Sequence, residues 1–186
     1  MKKALFIVIS IAVLSTAITT VSCRRHIAPD YKGSVRAGHP RLFVTKEDIP
    51  NIKSTAQTSA HDIYLQTKES IDKLLNEPIS FPNPTAVNGT ENGWIISRVS
   101  QVAMLYLITG EKKYLDYTKK FLQKITEYYR LRIDHNLNAD WYVFPQINTL
   151  CAYDWIYDDL TKDECEKIGK PLYRVMMDIA WHGDGL

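Results

Sequence analysis

Asp140-Trp141-Tyr142 sets a carboxylate beside two large aromatic faces, in a polar stretch between two helical segments. Aromatic faces stack on sugar rings while a carboxylate bonds their hydroxyls; the same triplet equally suits a packed loop anchor. Arg98 sits in the more polar first half of a helical segment, where its planar fork can match a carboxylate or join a buried ion pair. Asn92 and Trp94 stand at the entry to that segment, behind a stretch broken by Pro82, Pro84, Gly89 and Gly93. His135-Asn136 offers an imidazole, but in a polar stretch that reads as solvated loop. Asp154 and Trp155 read as helix-end packing, Asp158 and Asp159 as a turn, and His182 and Asp184 carry no assignable role. No CxxC or HExxH spacing occurs, so neither a metal site nor a cofactor is expected.

The elements that must position these residues are helices. Thr45 reads as an N-cap with Asp48 at N3 and Pro50 in the first turn. Ile49, Ile52, Ala56, Ala60, Ile63, Thr67, Ile71 and Leu74 then recur every three or four residues, which predicts one long amphipathic helix ending before Pro78. The segment 94–109 is polar in its first half, and Val102–Ile108 is apolar on every side, as a fully enclosed helix would be. Gly110 closes it. The segment 112–132 returns to a single stripe with a lysine-rich wet face. A second enclosed helix is predicted over 145–157, and Thr161-Lys162-Asp163-Glu164 is a capping box opening a last amphipathic helix that Pro171 should kink.

Outer and inner helices therefore alternate along the chain. Two concentric rings of helices require that alternation, so the fold class expected is all-α, in helical hairpins with alternating inner and outer members. Strand signals are almost absent beyond 41–44, an extended lead-in. An α-solenoid alternates similarly, but no self-similarity of about 34 residues is present.

The chain has 186 residues, with 23 Lys+Arg against 21 Asp+Glu. Met1–Cys23 contains Lys2, Lys3 and no acid, so the remainder holds 21 of each sign. Such a balance speaks against nucleic acid as a partner and against a polybasic membrane-surface protein. At 45% hydrophobic and 24% charged residues the composition is globular rather than disordered.

Lys2-Lys3, the apolar run Ala4–Leu14 and the small residues before Cys23 read as an export signal, the run being too short for a spanning helix. Thr20-Val21-Ser22-Cys23 resembles a loose lipobox. Two readings follow: Cys23 is the acylated first residue of a lipoprotein, or cleavage falls near Ala17–Ser22 and Cys23 is incidental. The first places the protein in the periplasm, or on the outer membrane or cell surface, of a Gram-negative bacterium. The expected organisation is a signal over 1–23, a linker over 24–38 and a helical domain over 39–186. Cys151 and Cys165 could pair in an exported protein; free thiols in apolar surroundings is the preferred reading.

His39-Pro40-Arg41-Leu42-Phe43-Val44-Thr45-Lys46-Glu47-Asp48-Ile49-Pro50 resembles the opening of the heparinase II/III-like polysaccharide lyases. Ala103–Tyr114 and Cys151–Glu164 resemble further segments of that family, although both patterns recur in other (α/α) toroid enzymes acting on glycans. The resemblance spans most of 38–181. It implies an exported enzyme cleaving uronic-acid polysaccharides, such as glycosaminoglycans or alginate, by β-elimination. In such lyases the uronate carboxylate is neutralised, a Tyr or His takes the proton at C5, and a second Tyr or His assists departure at O4.

On that resemblance, Asn92, Trp94, Arg98, Asp140, Trp141 and Tyr142 become candidate substrate-binding residues, with Arg98 neutralising a uronate. A complete toroid needs roughly twice the helices read here, so the chain is expected to be the N-terminal portion of an incomplete toroid. The family's catalytic Asn-His and Tyr positions are expected beyond Leu186. No residue of the chain matches a lyase base, so this stretch alone is not expected to catalyse. Two other functions remain open at this point: a toroid glycoside hydrolase working through two carboxylates, and a non-enzymatic surface lipoprotein that binds glycan.

Overall fold

A computed structural model describes residues 37–86, 93–139 and 143–182. The expected signal, Cys23 and most of the linker lie outside the described residues, which belong to the unit running from Arg36 onward. That unit is all-α, and no strand occurs among the described residues. Its helices are α1 (Ile49–Gln57), α2 (His61–Leu74), α3 (Gly93–Thr109), α4 (Lys112–Asp134), α5 (Phe144–Ile156) and α6 (Lys170–His182).

The single long helix expected up to Pro78 is instead two, broken between α1 and α2. Ser54-Thr55-Ala56-Gln57-Thr58-Ser59 is the cause. The Thr58 hydroxyl donates to the Ser54 carbonyl at 2.8 Å, and the Ala60 amide turns back to the Thr55 carbonyl at 2.9 Å. Serine and threonine offer the backbone local partners that compete with the helix ladder. The start also shifts. The Asp48 carboxylate accepts from the Thr45 amide and hydroxyl, both at 2.8 Å, so Thr45 to Asp48 form a turn and the helix begins at Ile49.

The lead-in over 41–44 is bent rather than extended: Phe43 has φ of 61°, and its ring is 84% exposed.

α3 and α4 are joined by a tight reversal in which Gly110 has φ of 71° and its amide returns to the Tyr106 carbonyl. A side chain there would oppose the left-handed backbone, which glycine adopts freely. α4 buries Tyr114, Thr118, Phe121, Leu122, Ile125 and Tyr129 and leaves Lys112, Lys113, Lys120 and Lys124 exposed. The buried Thr118 and Thr126 hydroxyls are satisfied by the carbonyls one turn back, at 2.8 Å each. At its far end α4 meets α6 through Arg130, which bridges Asp134 and Asp178.

α3 and α5 pack side by side, with α4 against both. They run the same way: Ser100 Oγ donates to Asn148 Oδ1 at 2.6 Å, and the later residues Ile108 and Trp155 line one groove near their ends. The expected enclosure of Val102–Ile108 holds on one side. Val102, Ala103 and Leu105 are buried, whereas Met104 and Ile108 border an open apolar groove of about 550 Å³ shared with α1 and α2.

The capping box closes as read. Thr161 Oγ accepts from the Glu164 amide, and the Glu164 carboxylate accepts from the Thr161 amide. The kink expected at Pro171 takes the form of a π turn over Cys165–Gly169, which leads into α6. Proline supplies no amide to the ladder, and the wider turn accommodates the loss. Cys151 is buried, Cys165 is half-buried, and both are free thiols.

Lys119, together with the Thr161 amide, holds the Glu164 carboxyl at about 2, below its ordinary 4.5. Asp72 is pulled down as well: burial opposes the shift, but hydrogen bonds from Lys113, Lys68 and Tyr114 outweigh it. A carboxyl depressed on folding adds stability above its unfolded value and loses it as pH falls toward the folded one. The melting temperature is therefore expected to fall as pH drops from 4.5 toward 2, and Lys119→Met to flatten part of that fall. Identical acid profiles for the two proteins, followed by circular dichroism, would contradict the assignment.

Candidate functional site

Both inner helices begin at the same end of the molecule. α3 starts at Gly93 and α5 at Phe144, and neither carries an acid in its first turn. The first amides of a helix lack intrahelical partners and leave partial positive charge at its start. Large apolar side chains stand in water at these starts: Trp94 is 68% exposed, Val143 55% and Phe144 56%. Phe144 escaped the sequence reading, because Pro145 marks the helix start and draws attention past its neighbour.

Of the six candidate binding residues, Trp94 and Arg98 are among the described residues. Asn92, Asp140, Trp141 and Tyr142 lie outside them. Arg98 is one turn beyond Trp94 on α3 and turns toward α2, its Nη2 donating to Ser70 Oγ at 2.6 Å. It also lines a pocket of about 450 Å³ with Ile95, Leu74, Tyr117 and Phe121. Nearly one turn before Ser100, the Ser97 hydroxyl is buried with no hydrogen-bond partner among the described residues.

Four described tyrosines have hydroxyls that burial makes harder to deprotonate. Tyr106 and Tyr153 are pushed up to about 12, mainly by burial, and Tyr114 and Tyr117 also move upward for that reason. A tyrosine base needs the opposite direction.

Three histidines have one ring nitrogen engaged. His39 Nδ1 lies 2.5 Å from Asp154 Oδ1, with its ring stacked on Tyr157. His61 and His135 each place Nδ1 against a backbone carbonyl, those of Ala56 and Leu131. His135 is exposed at the end of α4, where Asn136 takes φ of 54° and closes the helix.

Asp154 and Trp155 do pack at a helix end, and the structure supplies their partner. Asp154 Oδ2 accepts from the Arg41 and Leu42 amides at 2.7 and 2.8 Å, and Trp155 Nε1 donates to the Leu42 carbonyl at 2.8 Å. The opening string thus docks on the end of α5. Lys46 extends the contact to Asp158 at 2.6 Å.

The arrangement defines an all-α protein of toroid-like build: two parallel inner helices backed by outer ones, with exposed aromatic residues at the inner helices' starts. No family model matches the chain. Among curated proteins it is similar to an exo-oligoalginate lyase of Saccharophagus degradans, at 26% identity over 162 aligned residues. The alignment covers 75% of this chain and 21% of that protein, so the chain spans about a fifth of its relative's length. The likeness is thus to a polysaccharide lyase.

Proposed function

We propose that this chain is the N-terminal helical part of an exported polysaccharide lyase of the heparinase II/III-like kind, acting on uronic-acid glycans, alginate among them. The observation that carries the reading is the likeness to the exo-oligoalginate lyase over three quarters of the chain. The parallel inner helices and the aromatic residues at their starts support it.

In the reaction, a base removes the proton at C5, electrons move to form the C4–C5 double bond, and the bond from C4 to the bridging oxygen breaks. The departing oxygen takes a proton. This chain's part is binding: Trp94, Trp141 and Tyr142 offer faces to sugar rings, Asp140 and Asn92 bond hydroxyls, and Arg98 offsets a uronate charge. The proton-transferring groups belong to the protein beyond this stretch.

Cys23 is proposed as the acylated residue that holds the protein at the outer membrane or cell surface. Labelling cells with palmitate is expected to mark the protein, and Cys23→Ala to abolish the label; an unlabelled wild type would remove the anchor.

For the catalytic reading, the protein that carries this chain is mixed with alginate oligosaccharides. New ultraviolet absorbance from unsaturated uronate is expected. Reducing ends that appear without it would replace the lyase by a glycoside hydrolase. Saturable binding without any turnover would instead favour a glycan-binding surface lipoprotein.

A further inference from the structure

Arg132 is 1% exposed and is the largest side chain the core encloses. Enclosing a guanidinium costs several kcal/mol unless its donors are met. Here Nε and Nη1 meet backbone. Nε donates to the Asn138 carbonyl at 2.5 Å, and Nη1 reaches the Pro84 and Ala86 carbonyls, each at 3.1 Å.

These acceptors belong to two separate stretches of chain. Pro84 and Ala86 lie on the approach to α3, and Asn138 lies on the approach to α5. Arg132 occupies the last turn of α4, and the Leu137 amide returns to its own carbonyl at 2.9 Å. Main chain and side chain of one residue thereby hold the α5 approach, while the same guanidinium holds the α3 approach.

We propose that Arg132 is a positioning residue that fixes the approaches to both inner helices as one unit, and so sets glycan affinity without touching the sugar. The glycan part rests on the function proposed above; the clamp itself does not. A planar fork suits this role because its donors diverge in one plane toward acceptors on different segments. A lysine keeps the charge but places its donors on a single nitrogen.

Arg132→Lys is therefore the informative variant, since Arg132→Met would remove every one of these donors and risk the fold. Two readouts on the intact protein separate the claims. In hydrogen exchange, the Thr85 and Ala86 amides and those of Leu137 to Ala139 are expected to exchange faster together, while α3 and α5 interiors keep their protection. In calorimetry with an alginate tetrasaccharide, affinity is expected to fall about tenfold, because a binding surface that is no longer preorganised must be ordered on binding.

Faster exchange in only one approach, or uniform loosening of all helices, would overturn the clamp. Coupled loosening with unchanged affinity would overturn the positioning role. Coupled loosening in a protein whose wild type ignores the tetrasaccharide would leave the clamp standing and remove the glycan reading.

Discussion

Asp154→Ala is expected to lower stability by about 3 kcal/mol, because it removes one buried carboxylate that three donors share. The side chain is 4% exposed, and each oxygen has its own partners. Oδ2 takes the Arg41 and Leu42 amides, and Oδ1 takes His39. Without it the opening string can peel from α5 and return its amides to water, which keeps the loss below the sum of the separate bonds. A fall of about 10 °C in melting temperature corresponds to that figure.

Asp154→Asn is the milder change. Its Oδ1 can take the place of the oxygen facing the two amides, leaving Nδ2 toward the His39 ring. Equal losses in the two variants, or a loss under about 1 kcal/mol for alanine, would mean that the string is held by something else.

Gly169→Ala carries the second large effect. A Cβ at this glycine would stand 2.1 Å from the Tyr153 hydroxyl and 2.8 Å from the ring carbon bearing it. Gly169 ends the π turn, so close packing rather than backbone conformation demands the glycine. The tyrosine ring is rigid and meets Tyr157 edge-on, with centroids 5.7 Å apart, so it cannot withdraw without disturbing the helix end. Overpacking of this kind costs about 1–3 kcal/mol.

Tyr153→Phe in the same chain removes the nearer clash but not the farther one, so a partial rescue is expected from urea unfolding of the single and double variants. Strict additivity would show that the two residues do not compete for the same space.

Helices were legible wherever local spacing carried the signal. The α3 and α4 boundaries, the Gly110 reversal and the Thr161 capping box depend on residues a few positions apart, which periodicity and capping rules sense directly. The break between α1 and α2 was hidden because apolar residues keep their period across it, while the serine and threonine hydroxyls that interrupt the ladder leave no mark in that period.

Long-range partners were hidden for a different reason. Asp154 looked like packing at a helix end, and it is, but its donors lie 112 to 115 residues away. Nothing in the spacing of Arg132 distinguishes it from a surface arginine near a helix C-terminus. The Tyr153-Asp154-Trp155 run drew notice as a glycan-enzyme pattern. In the structure each member docks the helix end onto another segment: Gly169, the Arg41 and Leu42 amides, and the Leu42 carbonyl. The run therefore speaks for the scaffold more than for the site.

The claim that this scaffold belongs to a lyase is tested most directly by weighing the products formed from a defined alginate oligosaccharide. β-Elimination divides the substrate without adding water, so the two product masses are expected to total that of the substrate, with the unsaturated end on one fragment. Products whose masses total the substrate plus one water would identify hydrolysis and contradict the account.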